Sequence, residues 1–193
     1  MTSRLLISMI SDPRTQDLIV VTTLIAALIS SVVLVQGVSL YTGTMAMVSG
    51  LDVDLEGVTV SDLDPDNFDP ANTSHVPRVL LEFRITVPLG ASGTAFITSL
   101  TASLFLNEQK FVYVQSLFTN VPASLRKLYG GYNQTLVMTA VIYETYDKLI
   151  LQDALQSGLW RFNVSLTLFY RVFDSRADSV RFYLFGYEGL NLA

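Results

Sequence analysis

The chain has 193 residues, 50% of them apolar and 15% charged, with no cysteine, one histidine and a net charge of −5. A typical globular chain carries about 25% charged residues, so a mean hydropathy of +0.44 points to contact with lipid. This composition excludes a disordered chain, a disulfide scaffold and a thiolate metal site. The acidic balance argues against nucleic acid as a partner, because phosphate binding needs a basic face.

Residues 18–40 read LIVVTTLIAALISSVVLVQGVSL and contain no charge. At about 1.5 Å per residue this run makes a helix of about 34 Å, enough to cross a hydrocarbon core of about 30 Å. Inside lipid only a helix satisfies its own backbone, which overrides the many β-branched residues. A cleaved signal peptide is the rival reading. Its apolar core runs about 7–15 residues and starts near the amino terminus; here the run is longer, and Thr44-Met45-Ala46 is a poor cleavage site. Arg4 and Arg14 precede the span, and no Lys or Arg follows until Arg78. Positive flanks stay in the cytoplasm. The expected order is therefore a cytoplasmic segment 1–17, a transmembrane helix 18–40, a neck 41–50 and an extracytoplasmic domain 51–193. The apolar piece 3–10 fits either a helix along the inner membrane surface or an untidy terminus. Within the span, Thr22, Ala26 and Ser30 form one row and Thr23, Ala27 and Ser31 the next. Such small-residue rows let helices approach closely in lipid; filler facing the lipid is the alternative.

Beyond the neck, apolar and polar residues alternate with the period of a strand. Leu51, Val53 and Leu55 alternate, then Val58 and Val60. Further runs cover 79–87, 94–106 (with Phe96, Leu100, Leu104 and Leu106 on one side), 110–118, 133–146, 160–173 and 180–187. Turns at Pro88–Gly93, Asn107-Glu108-Gln109, Gly130-Gly131 and 174–178 separate them. Residues 147–156 place Leu149, Ile150, Ala154 and Leu155 at helical spacing, with Gly158 as a stop. The expectation is a mainly β protein: one N-terminal transmembrane helix, then an antiparallel seven-stranded immunoglobulin-like β-sandwich with one short helix. Residues 51–193 hold 20 aromatic side chains, and several strands are apolar on both faces. A two-layer sandwich needs one inner face per sheet, so the surplus implies full burial or contact with partner subunits or the membrane.

The run from Arg78 onward resembles the late-embryogenesis-abundant type 2 family, which includes the water-stress-and-hypersensitive-response domain. The likeness lies in the early strand 79–87, the strand 97–106 ending at Asn107, Val121-Pro122-Ala123 before a long strand, and a helix at 148–156 followed by Gly158. The family's Asn-Pro near the end of its early strand is here Thr86-Val87-Pro88-Leu89. The resemblance implies a seven-stranded sandwich with one helix, an amino-terminal anchor in many members, and no general catalytic residue set.

Seven of the 17 acids fall between Asp52 and Asp69. Asp62, Asp64, Asp66 and Asp69 are spaced so that their carboxylates can converge on a hard cation such as calcium; a solvated loop stiffened by Pro65 and Pro70 is the alternative. The loop is not an EF-hand, since Asn67 and Thr73 stand where Gly and Glu are required. His75 is the single histidine, so a zinc centre or a Ser-His-acid site would be incomplete. Arg126-Lys127 reads as a solvated turn. Sequons at Asn72, Asn133 and Asn163 are candidate glycan acceptors if the domain is exported. The expected function is non-catalytic: an accessory or structural subunit contacting the lipid bilayer and other membrane or envelope subunits, a second copy among them, with no cofactor unless calcium. A pilin-like filament subunit and a subunit of a membrane metalloenzyme with an acidic cation site are the alternatives.

Overall fold

The computed structural model describes residues 13–114, 117–173 and 175–192. The piece 3–10, Arg4 and Asp174 lie outside them. The chain forms two compact units, 1–42 and 43–193.

The first unit is the body of helix α1 (Pro13–Ser49). It is long and apolar enough to cross a membrane. Several of its hydroxyls bond back within the helix: Thr22 Oγ1 donates to Leu18 O, Thr23 Oγ1 to Ile19 O and Ser31 Oγ to Ala27 O, at 2.9, 2.7 and 2.8 Å. A Ser or Thr bonded back to its own turn carries no orphan donor into lipid. The expected neck is instead helical. Residues 43–49 continue α1 and belong to the second unit, where Thr44 and Met47 are buried. Gly43 is required there: a Cβ would run into Ser92 of the next loop.

The second unit is a sandwich. One sheet has the order β6-β2-β1-β9, with β1 (Asp52–Ser61), β2 (Arg78–Thr86), β6 (Asn133–Val141) and β9 (Asn191–Leu192). The other has the order β4-β3-β7-β8, with β3 (Ala95–Leu106), β4 (Gln109–Lys110), β7 (Arg161–Val172) and β8 (Ser179–Glu188), while β5 (Phe118–Asn120) also pairs with β3. Every pairing is antiparallel except the short one between β1 and β9. Strands β1, β2 and β6 facing β3, β7, β8 and the β4–β5 edge make an immunoglobulin-like arrangement. Val58, Leu81, Phe83 and Ile85 from one sheet meet Leu100, Leu104, Leu166 and Leu168 from the other in a fully buried core.

Three departures from the sequence reading have clear causes. The change of phase between Leu55 and Val58 is a β-bulge at Leu55/Gly57. A second bulge at Ile97/Ser99 flips β3, so Phe96 lies on the face opposite Leu100. Residues 110–118 are not one strand. The edge of β3 is covered by β4 and β5, and the chain leaves the ladder between them, because a carboxylate takes the backbone donors there. Asp147 accepts from Val112 N–H at 3.0 Å and from Tyr113 N–H at 2.8 Å.

That carboxylate belongs to helix α2 (Thr145–Ser157), closed by Gly158 in the left-handed region at φ 68°. Its start at Thr145 ends β6 at Val141, so Glu144 is a helix-capping residue and not a strand residue. The buried stripe is Asp147, Ile150, Leu151 and Ala154, while Leu149 is exposed.

Candidate functional site

The acidic loop does not gather its carboxylates. Asp64 Oδ1 accepts from Asp66 N–H at 3.1 Å, Asp69 Oδ1 from Ala71 N–H at 2.9 Å and Asn72 Oδ1 from Ser74 N–H at 2.9 Å. These are three successive Asx turns, each closing its own two residues of backbone. Asp62 turns away at φ 56° and pairs with Arg78 at 3.5 Å. Asp66 projects into solvent. The side-chain amide of Asn67, then the Asp66 N–H, holds the exposed Asp64 carboxyl below its ordinary pKa. Among the described residues no three metal-ligating side chains come together. Asp62, Asp64, Asp66 and Asp69, the residues expected to hold calcium, lie along a chain of local turns. Asp62, Asp64, His75 and Arg78 line an open groove of about 640 Å³ with mixed charge.

Two buried charges that the sequence reading missed hold this region. Asp147 and Lys148, each 1% exposed, sit side by side in the first turn of α2. Asp147 seizes the edge loop, and Lys148 Nζ donates to Asn72 O at 2.7 Å. The helix thus clasps both the interrupted strand edge and the acidic loop. A Lys or Asp on a helix is exposed by default, so no sequence signal marks the pair.

The remaining surface divides sharply. The outer face of the first sheet is charged: Asp52, Asp54, Glu56, Glu82 and Arg84 lie there, with Arg84 and Glu56 paired at 2.6 Å. The outer face of the second sheet is not. Its register places Phe118, Thr101, Thr167 and Phe182 in one row and Ser103, Ser165 and Leu184 in the next. Phe105, Asn163 and Gly186 form a third row, with Lys110 at its edge. Phe182 is 74% and Leu184 85% exposed. Charges appear only at the margins: Lys110, the Arg161–Glu188 pair at 3.4 Å, and Arg171. On β8 the inner residues Tyr183 and Phe185 stack at 6.0 Å, and Phe185 meets Phe83 at 5.8 Å. The missing side chain at Gly186 leaves an apolar groove of about 370 Å³ beside Phe105, Asn163 and Leu184.

The three sequon asparagines fall in different settings. Asn133 and Asn163 are exposed at the start of β6 and near the start of β7, whereas Asn72 is half-buried in its turn. Along α1, Ala26 and Ser30 keep their row by helix geometry, and Thr23 and Ala27 line a shallow groove of about 400 Å³ with Ile19, Val20 and Leu24.

No family model matches the chain, and no curated protein does. Among solved structures it is similar to a protein from Archaeoglobus fulgidus at a TM-score of 0.43 and 12% identity, over 70% of this chain and 96% of that one. At that score the likeness adds nothing to the sandwich already defined by strand pairing.

Proposed function

We propose that the chain is a non-catalytic single-pass membrane protein, with residues 1–17 cytoplasmic and the sandwich extracytoplasmic. The sandwich docks onto protein subunits of a membrane or envelope complex through the outer face of its second sheet. The observation that carries this reading is the pair Phe182 and Leu184, exposed on the edge strand β8 of an uncharged sheet face. Leaving two such side chains in water forgoes about 3–6 kcal/mol of burial, which a partner recovers. Gly186 supports the reading: its notch accepts a partner side chain, and a Cβ there would meet only Asn163 Oδ1, at 3.8 Å. The resemblance to the late-embryogenesis-abundant type 2 family belongs to the same proposal, since an anchored sandwich of that kind has no general catalytic residue set.

The test compares the full chain with Phe182→Thr/Leu184→Thr and with Gly186→Val after mild detergent extraction, by native mass spectrometry. The wild type should run with a partner chain or a second copy. The double variant should run alone, and Gly186→Val should lose the partner while keeping its fold. A wild-type chain that is strictly monomeric with nothing copurifying defeats the proposal.

A further inference from the structure

We infer that the end of the sandwich into which α1 leads carries a site for the anionic headgroups of the bilayer that holds the chain. The site is a groove of about 630 Å³ lined by Phe96, Arg126, Arg171, Phe173, Ser175 and Arg176. Its guanidinium groups come from three places in the chain: the segment after the short 3-10 helix Ala123–Leu125, the end of β7, and the β7–β8 turn. Backbone bonds bring them together. Ile97 N–H donates to Arg126 O at 2.8 Å, and Phe173 N–H donates to Thr94 O at 2.9 Å. Arg126 is oriented by its Nε, which donates to Val121 O at 2.7 Å, and Arg171 by its pair with Asp178 at 2.5 Å. Arg176 makes no hydrogen bond or ion pair with the described residues. Lys127, exposed and bridged by its backbone to Phe96, adds a fourth positive charge.

Position follows from bonding. Thr44 Oγ1 accepts from Thr94 N–H at 3.0 Å, and Thr94 O accepts from Phe173 N–H at 2.9 Å. Two hydrogen bonds therefore connect the rim of the groove to a residue four positions beyond Leu40. Chain connectivity alone keeps Thr44 within about 14 Å of Leu40, within reach of a headgroup layer about 5–8 Å deep on each side of the core. This requires only that the chain be continuous between Leu40 and Thr44. A planar guanidinium grips phosphate with two parallel bonds, and Phe96 and Phe173 give the groove apolar walls beside the arginines. Asp62, Asp64, Asp66, Asp69, Glu108 and Asp153 lie toward the opposite end, while at this end Asp178 is taken up by Arg171 and Asp52 and Asp54 open β1. These arginines are far from the span in sequence, so they fall outside the short flanks that set topology.

The inference rests on α1 spanning the bilayer, and the experiment separates the two. The full chain is reconstituted in nanodiscs with equal phosphatidylcholine and phosphatidylglycerol, then released in detergent, and native mass spectrometry counts the lipids retained. Each Lys or Arg at an anionic surface is worth a factor of about five. The wild type should retain phosphatidylglycerol preferentially. Arg176→Gln, which breaks no contact, should cut that preference about fivefold, and R126Q/R171Q/R176Q on the order of a hundredfold. Arg161→Gln, at the far end, should leave it unchanged. Equal retention by wild type and Arg176→Gln overturns the site, as does an equal loss in Arg161→Gln. Displacement of the lipid by inorganic phosphate at matched concentration overturns its assignment to a headgroup. Failure of the chain to enter nanodiscs at all overturns the span instead.

Discussion

Asp147 and Tyr132 show how single residues hold loops in place. Replacing Asp147 by Ala leaves the N–H groups of Val112 and Tyr113 without their acceptor. The loss should be about 2–4 kcal/mol, and hydrogen exchange should quicken at 112–114 before anywhere else in the sandwich. Tyr132 is buried, with its hydroxyl donating to Leu125 O at 2.7 Å and its ring edge-on to Tyr129 at 5.4 Å. Burial pushes its pKa up to about 12. The unfolded chain would release that proton near pH 10. The stabilisation from Tyr132 is therefore full below about pH 10 and is lost as pH rises towards about 12. Alkaline unfolding followed by tyrosinate absorbance should show this loss, and Tyr132→Phe should abolish it. The pair Asp147–Lys148 was illegible in the sequence for a physical reason. A charge is read as solvated unless something desolvates it, and the partners here, Val112, Tyr113 and Asn72, are backbone groups that leave no trace in side-chain identity.

At the scale of elements, the sequence was legible wherever the period was undisturbed. The alternation at 79–87 became β2, that at 160–173 became β7, and the helix at 147–156 became α2 with Gly158 as its stop. Replacing Gly158 by Ala should cost about 1 kcal/mol, because φ 68° suits glycine, a loss readable as a lower unfolding midpoint. Where the pattern slipped phase, at Leu55/Gly57 and Ile97/Ser99, bulges appear. A periodicity argument sees such a slip without knowing which side it will favour. β9 was invisible because two residues carry no period. In the acidic loop, Asx turns engage the carboxylates of Asp64 and Asp69 with their own backbone. Addition of calcium, or of a chelator, should therefore leave the thermal midpoint of the protein unchanged, and a rise of several degrees with calcium would contradict the turn geometry.

For the whole molecule, the membrane span was the plainest feature of the sequence, and α1 bears it out in length and composition. The chain should remain in the membrane fraction through alkaline carbonate and high salt, and leave it only with detergent; release by carbonate would contradict a span. The basic groove was not legible. Arg126 is separated by 45 residues from Arg171 and by 50 from Arg176 in sequence, and only the pairing of β3 with the two flanking loops unites them.

Asn163 stands between Phe105 and Gly186 in the uncharged sheet face. An oligosaccharide attached there would spread over Leu184 and fill the space left by Gly186. Protein made in a host that modifies this sequon should behave as a well-mannered, soluble-headed monomer, while an unmodified preparation assembles. The choice of expression system alone would then decide whether a biochemist finds a solitary chain or a complex.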